Sequence, residues 1–141
     1  MGMFAGIEEV TVKQRSRYVE PGEYIAKISA VKKGRTKQEE KSYFVVELEV
    51  EESTNPDFAA GDQVTWMTMV NKYKHYFLEE VKGFVATATD SRPDEVTEEV
   101  VEFVTGEDQP LVGKILKIQA WKETNANSGK SFTKTEFRLQ R

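Results

Sequence analysis

The chain contains no cysteine. Disulfides and thiolate zinc sites are therefore excluded, and a reducing, intracellular setting is compatible. It contains a single histidine, His75. Imidazole metal centres and acid–base dyads need a second ligand or base, so His75 is expected to be an ordinary surface or half-buried residue. No apolar run approaches the roughly 18 residues of a membrane span, and no membrane partner is expected. The N-terminus lacks a basic region followed by an apolar core, so no secretory signal is expected. Met1-Gly2 suits myristoylation, but Gly6 occupies the position where that motif needs Ser or Thr. Internal repeats and low-complexity tracts are also lacking.

What remains is a composition of 38% hydrophobic and 31% charged residues over 141 positions. That is enough for one domain with its own core and too apolar for a disordered chain. The net charge of −4 argues at first against nucleic acid, but the charges are unevenly spread. Residues 93–108 carry seven acids and neither Lys nor Arg, whereas residues 109–141 carry seven bases against two acids.

Residues 1–20 show no sustained period and are expected to form an N-terminal arm, with a short strand at 10–12. Pro21-Gly22 marks a turn. Tyr24, Ala26, Ile28 and Ala30 then alternate with Ile25, Lys27, Ser29 and Val31, which predicts a strand. Residues 32–42 are wholly polar and predict a loop. Phe44, Val46, Leu48 and Val50 alternate with Val45, Glu47, Glu49 and Glu51 in a second strand, and residues 63–70 predict a third. Asn71 looks like an N-cap for a helix carrying Tyr73, Phe77, Val81 and Phe84 at helical spacing. Pro93 opens a second helix with Val96, Val100, Phe103 and Val104 as its stripe, ended by Gly106. Leu116, Ile118 and Ala120 predict a fourth strand. A polar loop at 123–131 and a last strand at 132–139 follow.

Three strands, a helical insert, then two strands is the plan of an OB-fold. The expectation is a mainly β domain over 21–141: a five-stranded antiparallel barrel with its helices between strands 3 and 4. Such barrels bind oligonucleotides or oligosaccharides on the face of strands 2 and 3, between the loops joining strands 1–2 and 4–5. Both loops here are basic. Arg35, Lys37, Lys41, Lys117, Lys122, Lys130 and Lys134 are candidate phosphate contacts, and Tyr43, Trp66, Trp121 and Phe132 are candidate stacking residues. Each aromatic has a competing role in core packing; for Trp66 the phase of Val64, Trp66 and Thr68 suits either face. Asn127-Ser128-Gly129-Lys130-Ser131 matches the end of a phosphate-binding loop. Thr124 stands where the first glycine belongs, however, and both flanks read as strands, so a hairpin loop is expected. Glu47, Glu49 and Glu51 share one strand face, which suits a solvated rim better than a carboxylate metal site.

Several strings carry a resemblance: Pro21-Gly22-Glu23-Tyr24, Tyr43-Phe44-Val45-Val46-Glu47-Leu48, Gly61-Asp62-Gln63-Val64-Thr65-Trp66, Val81-Lys82-Gly83-Phe84, Pro110-Leu111-Val112-Gly113-Lys114 and Ser128-Gly129-Lys130-Ser131-Phe132-Thr133. Over roughly 18–140 the chain resembles bacteriophage OB-fold single-stranded DNA-binding proteins. The resemblance implies a non-catalytic protein without cofactor that binds single-stranded DNA with low sequence specificity in the bacterial host cytoplasm. It also implies replication or recombination partners. Many such proteins end in an acidic tail that recruits those partners; this chain ends Phe137-Arg138-Leu139-Gln140-Arg141. The acid-rich 94–108 helix is the alternative recruiting surface, and a homo-oligomer is compatible. The competing reading is an OB-like phage interaction or structural module that does not bind DNA. A metal-dependent nuclease using the Glu cluster ranks third.

Overall fold

The structure, a computed structural model, describes residue 3 and residues 17–35, 41–70, 74–124 and 126–140. In chain order it has β1 (Arg17–Tyr18), β2 (Gly22–Arg35), β3 (Ser42–Ser53), β4 (Gln63–Met69), α1 (Lys74–Ala88), a 3-10 turn at Pro93–Glu95, α2 (Glu98–Val104), β5 (Ile115–Thr124) and β6 (Ser131–Leu139). The strands form one mixed sheet in the order β1-β4-β3-β2-β5-β6, curled into a half-barrel. The β1–β4 pair is parallel and the others are antiparallel.

Two features correct the expected five-stranded antiparallel barrel. A sixth strand, β1, lies within the segment expected to be an arm. Its Arg17 guanidinium sits 4.1 Å from the centroid of the Phe58 ring and 3.5 Å from the Asp62 carboxylate, which ties β1 to the β3–β4 connection. The second feature is the seam: among the described residues no strand pairing joins β4 to β6. Aromatic rings bridge it instead. Trp66 of β4 stacks on Phe84 of α1 at 5.6 Å, and Phe137 of β6 meets both edge-on, at 4.9 Å and 5.1 Å. Helix α1 lies over this seam and buries Val81, Phe84, Val85 and Ala88, a stripe at helical spacing.

The curl of β2 comes from irregular pairing. Ile28 faces Leu48 and Ala30 faces Glu47, so Ser29 is an extra residue on β2. That bulge shifts the phase. Ala30, which alternation groups with the buried Tyr24, Ala26 and Ile28, is only half-buried, and Val31 is fully buried in its place. The strand also runs further than expected. Lys32, Lys33, Gly34 and Arg35, assigned to a loop, continue pairing with β3.

The second helix is also corrected. Thr97 has an extended backbone and its hydroxyl accepts a hydrogen bond from the Val100 N–H at 3.3 Å, so it caps a short α2 and separates it from the 3-10 turn. Phe103 is 56% exposed and leaves the apolar stripe to Val100, Val101 and Val104. The strand expected at 10–12 and the cap expected at Asn71 lie outside the described residues. Among the described residues no helix is long and apolar enough to cross a membrane.

Candidate nucleic-acid interface

The β5–β6 hairpin collects most of the candidate residues. Thr124 pairs with Ser131, and Gly129 at φ 70 turns the chain between them. Alternation sends Leu116, Ile118 and Ala120 into the core. Lys117, Gln119, Trp121 and Glu123 therefore point outward, opposite Arg138, Glu136, Lys134 and Phe132 respectively. Past Ala120 the hairpin leaves the core: Lys122, Thr124 and residues 126–134 are exposed whichever face they take. Lys122 points to the other face of the hairpin, and Lys130 sits in its loop.

Glu123 organises the outward face. Its carboxylate accepts a hydrogen bond from the Trp121 indole N–H at 3.0 Å and lies 3.9 Å from the Lys134 ammonium. The indole is thus held beside a cation, with Phe132, 47% exposed, opposite Glu123 on the neighbouring strand. Rings interleaved with ammonium groups suit a chain of stacked bases flanked by phosphates.

The remaining candidates lie elsewhere. Gly22 pairs with Ala120, so the hairpin stands beside the start of β2, whereas Arg35 ends that strand. Arg35 and Tyr43 line a groove of about 730 Å³ against α1 and α2, with Leu78 and Val101. The Tyr43 ring lies across Gly34, an approach that leaves no room for a side chain there. In the same groove Lys33 pairs with Glu102, so the acidic segment has a compensating base from β2. Lys41 immediately precedes β3 and is half-buried, and Lys37 lies outside the described residues. Trp66 faces inward and packs on Phe44, Phe84 and Phe137. It resolves the open phase of β4 in favour of packing, although one side of the ring still lines a slot with Tyr76 and Phe132.

Two residues of this surface were not among the candidates. Arg138 shares the outward face with Lys117, and its period-two phase with Lys134 was the available signal. Tyr76, 61% exposed on α1, faces the slot beside β6, and only the packing of α1 reveals it. The Glu47 carboxylate is bound by Lys32 at 3.2 Å, and among the described residues no three acidic or histidine side chains gather as a ligand set.

No protein-family model matches the chain, and no curated protein does. The functional weight therefore rests on the hairpin's own chemistry.

Proposed function

We propose that the protein binds single-stranded DNA with little sequence preference, through the outward face of the β5–β6 hairpin, and that it acts without a cofactor beside replication or recombination proteins of a phage. The observation that carries this reading is the shared face of Lys117, Trp121, Phe132, Lys134 and Arg138, fixed by strand register. Every base has a π-face, so stacking on Trp121 or Phe132 tolerates any sequence, and the cations supply the phosphate term. The order β4-β3-β2-β5-β6 with its helices inserted before β5 fits an OB plan opened along one seam, which supports the reading, as does the family resemblance of the sequence. An OB unit covers about 4–16 nucleotides, so a fluorescently labelled oligonucleotide of about 30 suffices as probe. Titration at low salt is expected to saturate and to quench Trp fluorescence. Absence of binding at low salt would refute the proposal.

The competing reading, an OB-like protein-interaction module, is favoured by one observation. Leu78, 51% exposed, lies in the groove between the β2–β3 end and the two helices, with Glu98 and Glu102 on one side and Lys33 and Arg35 on the other. A protein that ignores the oligonucleotide would belong to this class.

A further inference from the structure

Helix α1 leaves a gap where packing would ordinarily close it. Tyr76, Glu80, Gly83 and Thr87 recur at helical spacing and form one face, turned to β6 across a slot of about 650 Å³. Glycine is the least favourable helix residue after proline, yet Gly83 lies well inside α1. Close packing does not require it. Among the described residues no atom lies within 4 Å of the place that its Cβ would take. The missing side chain instead keeps the slot open. Half-buried Trp66 and buried Phe84 floor it, and Thr133 and Thr135 of β6 stand on the far side. Phe132 and Lys134 line the slot too, and by register they also belong to the outward hairpin face, opposite Glu123 and Trp121. The slot therefore opens off the surface assigned to DNA.

Its helical wall is acidic. Glu79 and Glu80 line it, and Thr68 of β4 holds the partly desolvated Glu80 carboxyl by a hydrogen bond. An ionised carboxylate accepts hydrogen bonds, donates none and repels phosphate. Phosphates thus belong outside, on Lys134 and its neighbours. The interior suits a flat ring that carries an amine. Every base has a π-face for the aromatic floor, and cytosine, adenine and guanine add an exocyclic amine that a carboxylate can accept from; thymine has none. We propose that the slot between α1 and β6 is a subsite for one unstacked nucleobase of the bound strand, and that it favours bases with an exocyclic amine over thymine. The inference rests on the single-stranded DNA reading and adds one position at which sequence counts.

Trp121→Phe leaves Trp66 as the only indole and keeps a ring on the hairpin. In that background, anisotropy of labelled oligo-dC and oligo-dT of about 30 nucleotides follows binding, and Trp66 emission follows the slot. At neutral pH oligo-dC is expected to bind about fivefold more tightly than oligo-dT, the low end for a single base contact, and to change Trp66 emission at saturation. Gly83→Leu fills the slot and removes neither a ring nor a charge. Its melting temperature should equal or exceed its parent's, and anisotropy should still rise with DNA. The emission change and the dC preference should both be lost. Glu80→Gln should shrink the preference by removing the carboxylate, and it carries the same test should Gly83→Leu fail to fold. No anisotropy change with either oligonucleotide would end the DNA reading, and the subsite with it. Saturable binding with Trp66 emission unmoved, or a dC preference that survives both variants, overturns the subsite alone. So does a Trp66 response to arginine amide and not to DNA, which would assign the slot to a cationic side chain of a protein partner.

Discussion

The side-chain amide of Gln109 takes the place of a backbone partner for Val31. Its Oε1 accepts from the Val31 N–H at 2.8 Å and its Nε2 donates to the Val31 carbonyl at 2.9 Å. Strand β5 stops pairing with β2 at Lys27, and the connection before it adds bonds only as far as Ile28. A primary amide carries the donor and acceptor of a peptide unit, so one side chain serves both groups of Val31. Gln109 holds this position with a left-handed backbone, φ 44, which is uncommon for a residue with a side chain. A third bond, from Nε2 to the Gly106 carbonyl at 2.8 Å, helps to fix it.

Removing that amide should therefore cost stability without touching the hairpin. Gln109→Ala is expected to lose about 1–3 kcal/mol, because it leaves two part-buried backbone groups without this partner. Gln109→Glu should also destabilise at neutral pH, since a carboxylate oxygen would then face the Val31 carbonyl; acid should relieve it as the carboxyl regains a proton to donate. Urea midpoints at two pH values test both. An alanine variant with the wild-type midpoint would show that the amide is dispensable.

The two tryptophans should separate stability from binding. Trp66→Ala opens the Trp66–Phe84–Phe137 cluster that bridges the seam, and a loss of about 3 kcal/mol is expected, the low end for truncating a large aromatic because the ring is only half-buried. Trp121→Ala removes an outward ring and should barely move the melting temperature, while weakening oligonucleotide binding by roughly 1–3 kcal/mol. If Trp121→Ala unfolds the protein and binding by the folded remainder is unchanged, the ring is a packing element.

What could be read from the sequence was set by polarity contrast. In β3 the core residues Phe44, Val46, Leu48 and Val50 face glutamates and half-buried side chains across each pleat, so alternation was plain. At the end of β2 the pairing with β3 runs on past the core, and Lys32 to Arg35 carry no apolar face to reveal it. The Ser29 bulge inverted the phase of Ala30 and Val31, a shift that no fixed period contains. Strand β1 is two residues held by pairing with β4 and by the Arg17 side chain against Phe58 and Asp62, contacts distant in sequence. On the site, the outward phase of Lys117 and Trp121 was legible from neighbours of clear polarity, Leu116, Ile118 and Ala120. Trp66 was not, because β4 mixes half-buried residues on both faces. The break in the second helix had a local signal, Thr97 ahead of Glu98 and Glu99, which is an N-cap followed by first-turn acids.

The salt dependence of binding should count the cations. For single strands the slope of log affinity against log salt changes by about 0.7 for each phosphate that a cation neutralises. Lys117→Gln, Lys134→Gln and Arg138→Gln should each make the slope shallower by up to that amount, with Lys122→Gln and Lys130→Gln reporting on the hairpin tip. Arg35→Gln, at the other end of β2, should change it less. Equal effects from Arg35 and from the hairpin residues would mean that DNA spans both ends of the sheet.

Glu80 on α1 makes a pH prediction. Glu80 is exposed as a whole, but desolvation of its carboxyl raises it above the ordinary value; a hydrogen bond with Thr68 acts the other way, and the charge of Glu79 adds to the rise. A carboxyl with a raised folded pKa favours the protonated fold. Its contribution is full below the unfolded pKa and is lost as pH rises through the folded one. Glu80→Gln should therefore stabilise the protein near neutral pH and change little in acid. Equal effects of the substitution at both ends of the range would contradict this origin.

The acidic segment gives the sharpest check on where DNA lies. Glu98, Glu99 and Glu102 are exposed on α2, and Glu102 pairs with Lys33 across two solvent-facing side chains, 40% exposed for the lysine and 58% for the glutamate. Pairs of this kind contribute at most about 1 kcal/mol, so changing all three acids to Gln should leave the melting temperature almost unmoved. It removes three negative charges from a helix set apart from the hairpin and leaves Lys33 without this counter-charge. Oligonucleotide affinity should then rise slightly at low salt through the long-range field. The gain should vanish at high salt, where screening shortens the reach of a charge to about 3 Å at 1 M. Titrations at both salt levels, beside thermal melts, test this. A large loss of affinity in the triple variant would move the binding site from the hairpin to the groove beside α2, and with it the assignment of Trp121 and Phe132.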